Sequence, residues 1–113
     1  MRCIIAGGRD FKPTEEHKSW VIDKIHKHGI TEIVSGGARG ADYFGEKVGK
    51  ECNLKITVFN AEWNRYGRSA GPRRNKEMAI YADACILFPG GRGTLSMERE
   101  AKKRDLVLLK YNQ

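Results

Sequence analysis

The stretch Glu32-Ile33-Val34-Ser35-Gly36-Gly37-Ala38-Arg39-Gly40-Ala41-Asp42 runs from a short apolar segment, through a glycine pair and an arginine, into an amphipathic segment. Its first four residues read as a strand closed by Gly36 and Gly37. Ala41, Phe44, Val48 and Cys52 then follow at spacings of three, four and four, which is one stripe of a helix. A strand that enters a helix through a glycine turn is half of a parallel crossover unit, because parallel neighbours cannot be joined by a hairpin.

Outward from that stretch the same unit recurs. Residues 2–6, 32–35, 55–60, 84–88 and 106–110 read as strands, each near-continuously apolar, as strands covered on both faces are. A first helix is expected over 14–28, with Pro13 and Thr14 at its start, Glu15 and Glu16 in its first turn and Gly29 as its stop. Later helices are expected from near Gly40, Pro72 and Gly93. The reading is an α/β chain: a single Rossmann-like domain over residues 1–113, with a mainly parallel five-stranded sheet and helices on both faces. Residues 60–71 form a long connection for so small a domain, which marks them as functional or irregular.

Composition bounds the rest. A chain of 113 residues with 40% hydrophobic content holds one core and no second domain. Lys and Arg number 21 against 14 Asp and Glu, a formal charge of +7, which favours an anionic ligand or surface. The cysteines Cys3, Cys52 and Cys85 are an odd number without a C-x-x-C pair, and they sit in strand or helix segments. Reduced thiols in the cytoplasm are expected rather than a disulfide scaffold. The apolar start is too short for a signal peptide, and no run approaches the roughly 18–20 residues of a membrane span, so no membrane partner is expected.

The glycines and arginines locate a candidate site. Gly7, Gly8, Gly36, Gly37, Gly40, Gly67, Gly71, Gly90, Gly91 and Gly93 all follow a strand, and in a parallel sheet those segments share one edge. Open α/β sheets bind ligands at that carboxyl edge, where glycine lets amides approach a phosphate and the next helix adds its positive N-terminus. Seven arginines, Arg9, Arg39, Arg65, Arg68, Arg73, Arg74 and Arg92, fall in the same segments, whereas most lysines fall on helices. The rigid guanidinium fork suits bidentate phosphate contact, so arginine placement argues for a discrete site more than total charge does.

Two loops stand out: residues 35–42, and Phe88-Pro89-Gly90-Gly91-Arg92-Gly93-Thr94 after the fourth strand. Neither is a G-x-G-x-x-G or Walker-type motif. Gly36, Gly37, Gly90, Gly91, Gly93 and Thr94 are expected to cradle phosphates, Arg39, Arg74 and Arg92 to neutralise them, and Trp63 or Tyr66 to cover a base or ribose. Asp10 and Asp42 are expected to hold Arg9 and Arg39 or to meet ribose hydroxyls. Ser35 lacks the G-x-S-x-G elbow and reads as a loop cap or hydroxyl contact. His17, His26 and His28 lie on the first helix, away from the loops, so neither a metal nor a cofactor is expected.

The 35–42 loop, the stretch 63–66 and Gly71-Pro72-Arg73-Arg74-Asn75 resemble the SLOG superfamily, most nearly its small stand-alone YspA-type, cpYpsA-related members of bacteria and phages. The resemblance spans nearly the whole chain. It implies binding of a nucleotide-derived ligand (ADP-ribose-like, a nucleoside phosphate or a cyclic nucleotide) by a sensing or sequestering module, often as a homodimer.

Arg74 with Met78, and Pro89 to Thr94, are similar in relative spacing to the R-K-x-x-M helix and P-G-G-x-G-T-x-x-E loop of the Lonely guy phosphoribohydrolases, which puts Arg74 at that family's catalytic arginine. The loop's acidic position falls on Met97, with Glu98 one residue later, a turn of about 100° on a helix. Hydrolysis of an N-glycosidic bond, with Arg74 and Glu98 as catalytic pair, therefore stands behind binding. Residues 35–42 and 72–76 also resemble DNA-processing protein A, which implies single-stranded DNA as a third reading, with Trp63, Tyr66 and Tyr43 as stacking surfaces.

Overall fold

Five short strands, β1 (Arg2–Ala6), β2 (Glu32–Ser35), β3 (Lys55–Val58), β4 (Ala84–Leu87) and β5 (Val107–Lys110), form one sheet in the order β3-β2-β1-β4-β5, with every neighbouring pair parallel. The computed structural model describes residues 1–111. The inner strands are mostly apolar because both of their faces are covered: beyond the exposed Arg2, every residue of β1, β2 and β4 is buried, the polar Glu32 and Ser35 of β2 included. The edge strands β3 and β5 are only half-covered.

Side chains alternate across the sheet with a period of two. Cys3, Ile5, Ile33 and Ile86 meet Val21, Ile25, Phe44 and Val48 of α1 (Glu15–His28) and α2 (Ala41–Glu51) on one face. On the other face Ile4, Val34, Cys85 and Leu87 meet Met78, Ala79, Met97 and Ala101. Those four come from two later helices, which carry the chain outward to β5. Before them, a single turn of helix, α3 (Trp63–Tyr66), and a 3-10 turn (Gly67–Ser69) lead into α4 (Ala70–Tyr81), and α5 (Arg92–Lys103) follows β4. The doubly wound α/β fold expected from the sequence is the one formed.

Element ends differ slightly. β3 stops at Val58 rather than residue 60, β4 stops at Leu87 rather than Phe88, and β5 starts at Val107 rather than Leu106. Beyond β3 the ladder persists only as the Phe59 amide donating to the Ser35 carbonyl at 2.8 Å. The connection 60–71 is not irregular throughout, because α3 and the 3-10 turn occupy most of it. α4 begins at Ala70, so Pro72 lies in its first turn, where an amide has no helical partner and proline is tolerated.

α1 opens on a reciprocal cap. The Thr14 Oγ1 accepts from the His17 amide at 3.3 Å, and His17 Nδ1 accepts from the Thr14 amide at 2.9 Å. Histidine stands where a capping box usually has Glu or Gln. Its ring also packs on Phe11 and Tyr111 at 4.8 and 4.7 Å, tying the helix start to the core. At the other end Gly29 adopts φ 61°, the left-handed cap. Thr14→Ala is expected to cost about 1 kcal/mol, read as a lower denaturation midpoint at unchanged m-value. An unchanged midpoint would mean that the cap is idle.

Candidate functional site

The sheet order makes β1 and β4 neighbours whose following helices leave to opposite faces. A crevice opens there, at the point where an open α/β sheet changes direction. The two loops are stitched together above it: the Gly8 amide donates to the Pro89 carbonyl at 2.9 Å, and the Gly8 carbonyl accepts from the Ala41 amide at 3.2 Å. Glycine is needed for this closeness. A Cβ on Gly7 would come within 2.8 Å of Ala41 Cβ, and one on Gly90 within 2.6 Å of the Gly8 amide and into the Thr94 side chain. The resulting cleft encloses about 550 Å³, with the buried Met78 and Met97 at its floor and Arg9, Arg68, Arg74 and Arg92 in its wall.

The two loops singled out in the sequence play different parts. In the 35–42 loop the amides of Gly37, Ala38 and Ala41 are already occupied. Ser35, fully buried, donates its hydroxyl to Glu46 at 2.6 Å and accepts from the Gly37 amide at 3.0 Å. Asp42 Oδ2 accepts from the Ala38 amide at 3.3 Å, and the first amide of α2, that of Ala41, is taken by the Gly8 carbonyl. Gly36 and Gly37 thus build a shelf for Arg74 rather than offering free amides. A Cβ on Gly36 would sit 2.7 Å from the Arg74 guanidinium.

The second loop is open. Gly91 caps α5 with no side-chain hydrogen bond, and nothing lies within 4 Å of a Cβ built on Gly91 or Gly93. Gly91, Arg92, Gly93 and Thr94 all face the cleft. Asn75, buried on α4, fixes this turn by donating to the Gly93 carbonyl and the Ser96 hydroxyl, both at 3.3 Å. Its own carbonyl accepts from Arg74 Nε at 3.1 Å, and another Arg74 nitrogen donates to the Gly36 carbonyl. One arginine therefore joins the α4 turn to the shelf, with the rest of its fork in the cleft.

Charge in the cleft is mostly positive. The arginines that form ion pairs are Arg39, Arg65 and Arg104; among the described residues Arg9, Arg68, Arg74 and Arg92 form none. Burial pushes the Arg74 guanidinium down, and Arg9 adds to that while Asp42 opposes it. Burial likewise pushes the Asp42 carboxyl up to about 6, against the Ala38 amide and Arg74, with Glu46 pushing the same way as burial.

The folded state therefore holds a proton on Asp42 that an unfolded carboxyl, at 3.8, gives up earlier. The stability Asp42 contributes is fully present below about pH 4 and lost as pH rises through about 6, about 3 kcal/mol in all. Wild type is expected to lose roughly that amount relative to Asp42→Asn between pH 4 and 7 in paired denaturation curves. A pH-independent difference between the two would refute the assignment.

The remaining expected site residues fall into place as follows. Trp63 lines the cleft, with the Arg9 guanidinium 6.0 Å from its ring centroid. Asp10 and Arg39 pair with each other at 3.5 Å, both exposed on the rim. Tyr66 and Arg73 do not line the cleft: Arg73 lies over the Tyr66 ring at 4.2 Å and donates to Ser69, fixing the turn that presents Trp63. Gly40 contributes backbone crossing, and Pro89 its carbonyl. Glu98 lies outside the cleft lining, paired with Lys102 and Lys110 at 3.0 and 3.1 Å, which hold its carboxyl below the usual range. The buried Met97 faces the cleft instead, as the one-residue offset predicts. Glu46 was missed, although it stands four residues after Asp42 and so on the same side of α2.

Over 120 aligned positions, covering 97% of this chain and 95% of the relative, the sequence is 32% identical to the Gene 61 protein of Mycobacterium phage D29. The chain belongs to the Gene 61 protein family. No protein-family model matches the sequence, and no solved structure matches it. In this Gene 61 family member the cleft is assembled from four separate segments, after β1, β2, β3 and β4, so its geometry depends on the whole sheet edge. No helix among the described residues is long and apolar enough to cross a membrane.

Proposed function

We propose that this protein binds a nucleotide or nucleotide-derived ligand at the carboxyl edge of its sheet, as a sensing or sequestering module. The observation that carries the reading is the N-terminus of α5, which no side chain caps and which faces a cleft walled by four arginines that form no ion pair among the described residues. Free amides and the helix dipole suit a phosphate, and the arginines neutralise it. Trp63 offers an aromatic face for a base or ribose. The resemblance to SLOG proteins supports the same ligand class. Isothermal titration with nucleoside monophosphates, ADP-ribose and cyclic nucleotides tests it: saturable binding by at least one is expected, and silence across the panel refutes it.

One observation favours a second reading, a nucleotide phosphoribohydrolase. Asp42 reaches the same cleft as Arg74, from α2 rather than from the α5 loop. Its carboxylate could oppose the charge that develops on the ribose as the N-glycosidic bond breaks, water adding to the anomeric carbon and the base leaving with a proton. Chromatography would detect the free base from a nucleoside monophosphate, with release abolished in Asp42→Asn. Intact substrate after prolonged incubation removes this reading.

A further inference from the structure

Among the described residues Asp42 is the only acidic side chain that lines the cleft, and the other ionisable groups in its wall are Arg9, Arg68, Arg74 and Arg92. An arginine stays charged near neutral pH. Any change of charge inside the cleft therefore falls to Asp42, which is 7% exposed and so nearly withdrawn from water. It stands beside Arg74: a Cβ built on Gly36 would lie 2.7 Å from an Arg74 guanidinium nitrogen and 2.8 Å from Asp42 Oδ2. The Arg74 fork nevertheless donates to the Asn75 side-chain oxygen and the Gly36 carbonyl, which leaves the carboxylate a neighbour of that cation rather than its hydrogen-bonded partner.

The groups around Asp42 pull in opposite directions. Burial pushes its carboxyl up to about 6; the Ala38 amide and Arg74 oppose this, Glu46 adds to it, and the Gly36 amide opposes it again. Glu46 is held in place by the Ser35 hydroxyl at 2.6 Å, so its charge stays close by. From the loop after β1, the positive charge of Arg9 reaches Arg74. An anion at the open start of α5 brings one more negative charge into this enclosed space and competes with Asp42 for the same guanidinium. Like charges that share a site raise the proton affinity of one of them. The carboxyl already titrates close to neutral pH, so a modest further rise protonates it.

We propose that anion binding in this cleft is coupled to protonation of Asp42, so that the protein holds its ligand more tightly in mildly acidic than in mildly alkaline solution. This rests on the nucleotide-binding reading and adds its regulation. For each anion bound, one proton passes from solvent to the Asp42 carboxylate, and the field of Arg74 is left to the anion. Raising the pH reverses the step: the carboxylate forms, its proton returns to solvent, and the anion is released.

Sulfate and cyclic AMP are suitable probes, because neither changes its own charge near neutral pH. Their affinity for the wild-type protein is expected to fall roughly 5- to 25-fold between pH 5.5 and 7.5. Calorimetry at pH 7.5 in buffers of unlike ionisation heat is expected to show an uptake approaching one proton per ligand, a readout that needs no variant. In Asp42→Asn, with folding checked by circular dichroism, affinity should be flat across the same range and no proton should be taken up. A pH-independent affinity of the wild type, or binding without proton uptake, overturns the proposal and leaves nucleotide binding intact. Undiminished pH dependence in folded Asp42→Asn overturns it by assigning the effect to another group. Absence of binding by both probes overturns it as well, and if AMP is silent too the nucleotide reading falls with it.

Discussion

Gly40→Ala is expected to unfold this protein at a temperature roughly 10–20 °C below wild type, a loss of about 3–5 kcal/mol. Gly40 adopts φ 77° and ψ −124°, a conformation that L side chains rarely reach. A Cβ there would run into the Gly8 carbonyl oxygen and lie 2.6 Å from the Arg9 carbonyl oxygen, both backbone atoms that no rotamer change can move. The hydrogen bond from the Ala41 amide to the Gly8 carbonyl sits at the same crossing and would open with it. Gly91→Ala is the matched control: φ is −100° and nothing lies within 4 Å of the added carbon, so the melting temperature should hardly move. Equal melting temperatures for the two variants in scanning calorimetry would contradict the account.

Arg74→Ala is expected to weaken the proposed nucleotide binding roughly 10- to 150-fold, the ~1.5–3 kcal/mol of a charge-assisted hydrogen bond. The same change leaves the Gly36 carbonyl and the Asn75 side-chain oxygen without their donor, and Asn75 in turn holds the first turn of α5. The loss therefore has two parts, a missing cation and a loosened anion site. Arg74→Lys separates them. A lysine restores the charge but cannot reach two acceptors and the ligand together, since it lacks the fork. Recovery of well under half of the lost binding free energy is expected by titration calorimetry. Full recovery would mean that a point charge suffices and that the tethering is incidental.

The behaviour of the two glycine loops explains how far the sequence could be read. Both leave a strand, carry glycines and an arginine, and enter a helix, so by composition they are equivalent phosphate loops. In the folded chain the amides at Gly37, Ala38 and Ala41 are taken by Ser35, Asp42 and Gly8, while the α5 turn stays open. The acceptors differ in their visibility. Ser35 and Asp42 lie within the loop itself, but the Gly8 carbonyl comes from a segment some thirty positions earlier and is brought there by sheet order. Glu98 illustrates the opposite case: a helix turns a known angle per residue, so its exclusion from the cleft could be read directly.

What the sequence by itself determined is whatever depends on local period and chemistry: five strands, the helices between them, the caps at Thr14 and Gly29, and the collection of glycine and arginine at one edge. Those features follow from side-chain alternation, helical spacing and backbone freedom, which act between near neighbours in the chain. Only the tertiary structure decided which of the edge groups remain free. Pairing β1 with β4 creates the cleft, and pairing β1 with β2 brings the Gly8 carbonyl onto the first amide of α2, while the start of α5 stays open. A hydrogen-bonding group is available to a ligand only if no other part of the chain has reached it first, and that is a property of distances across the fold.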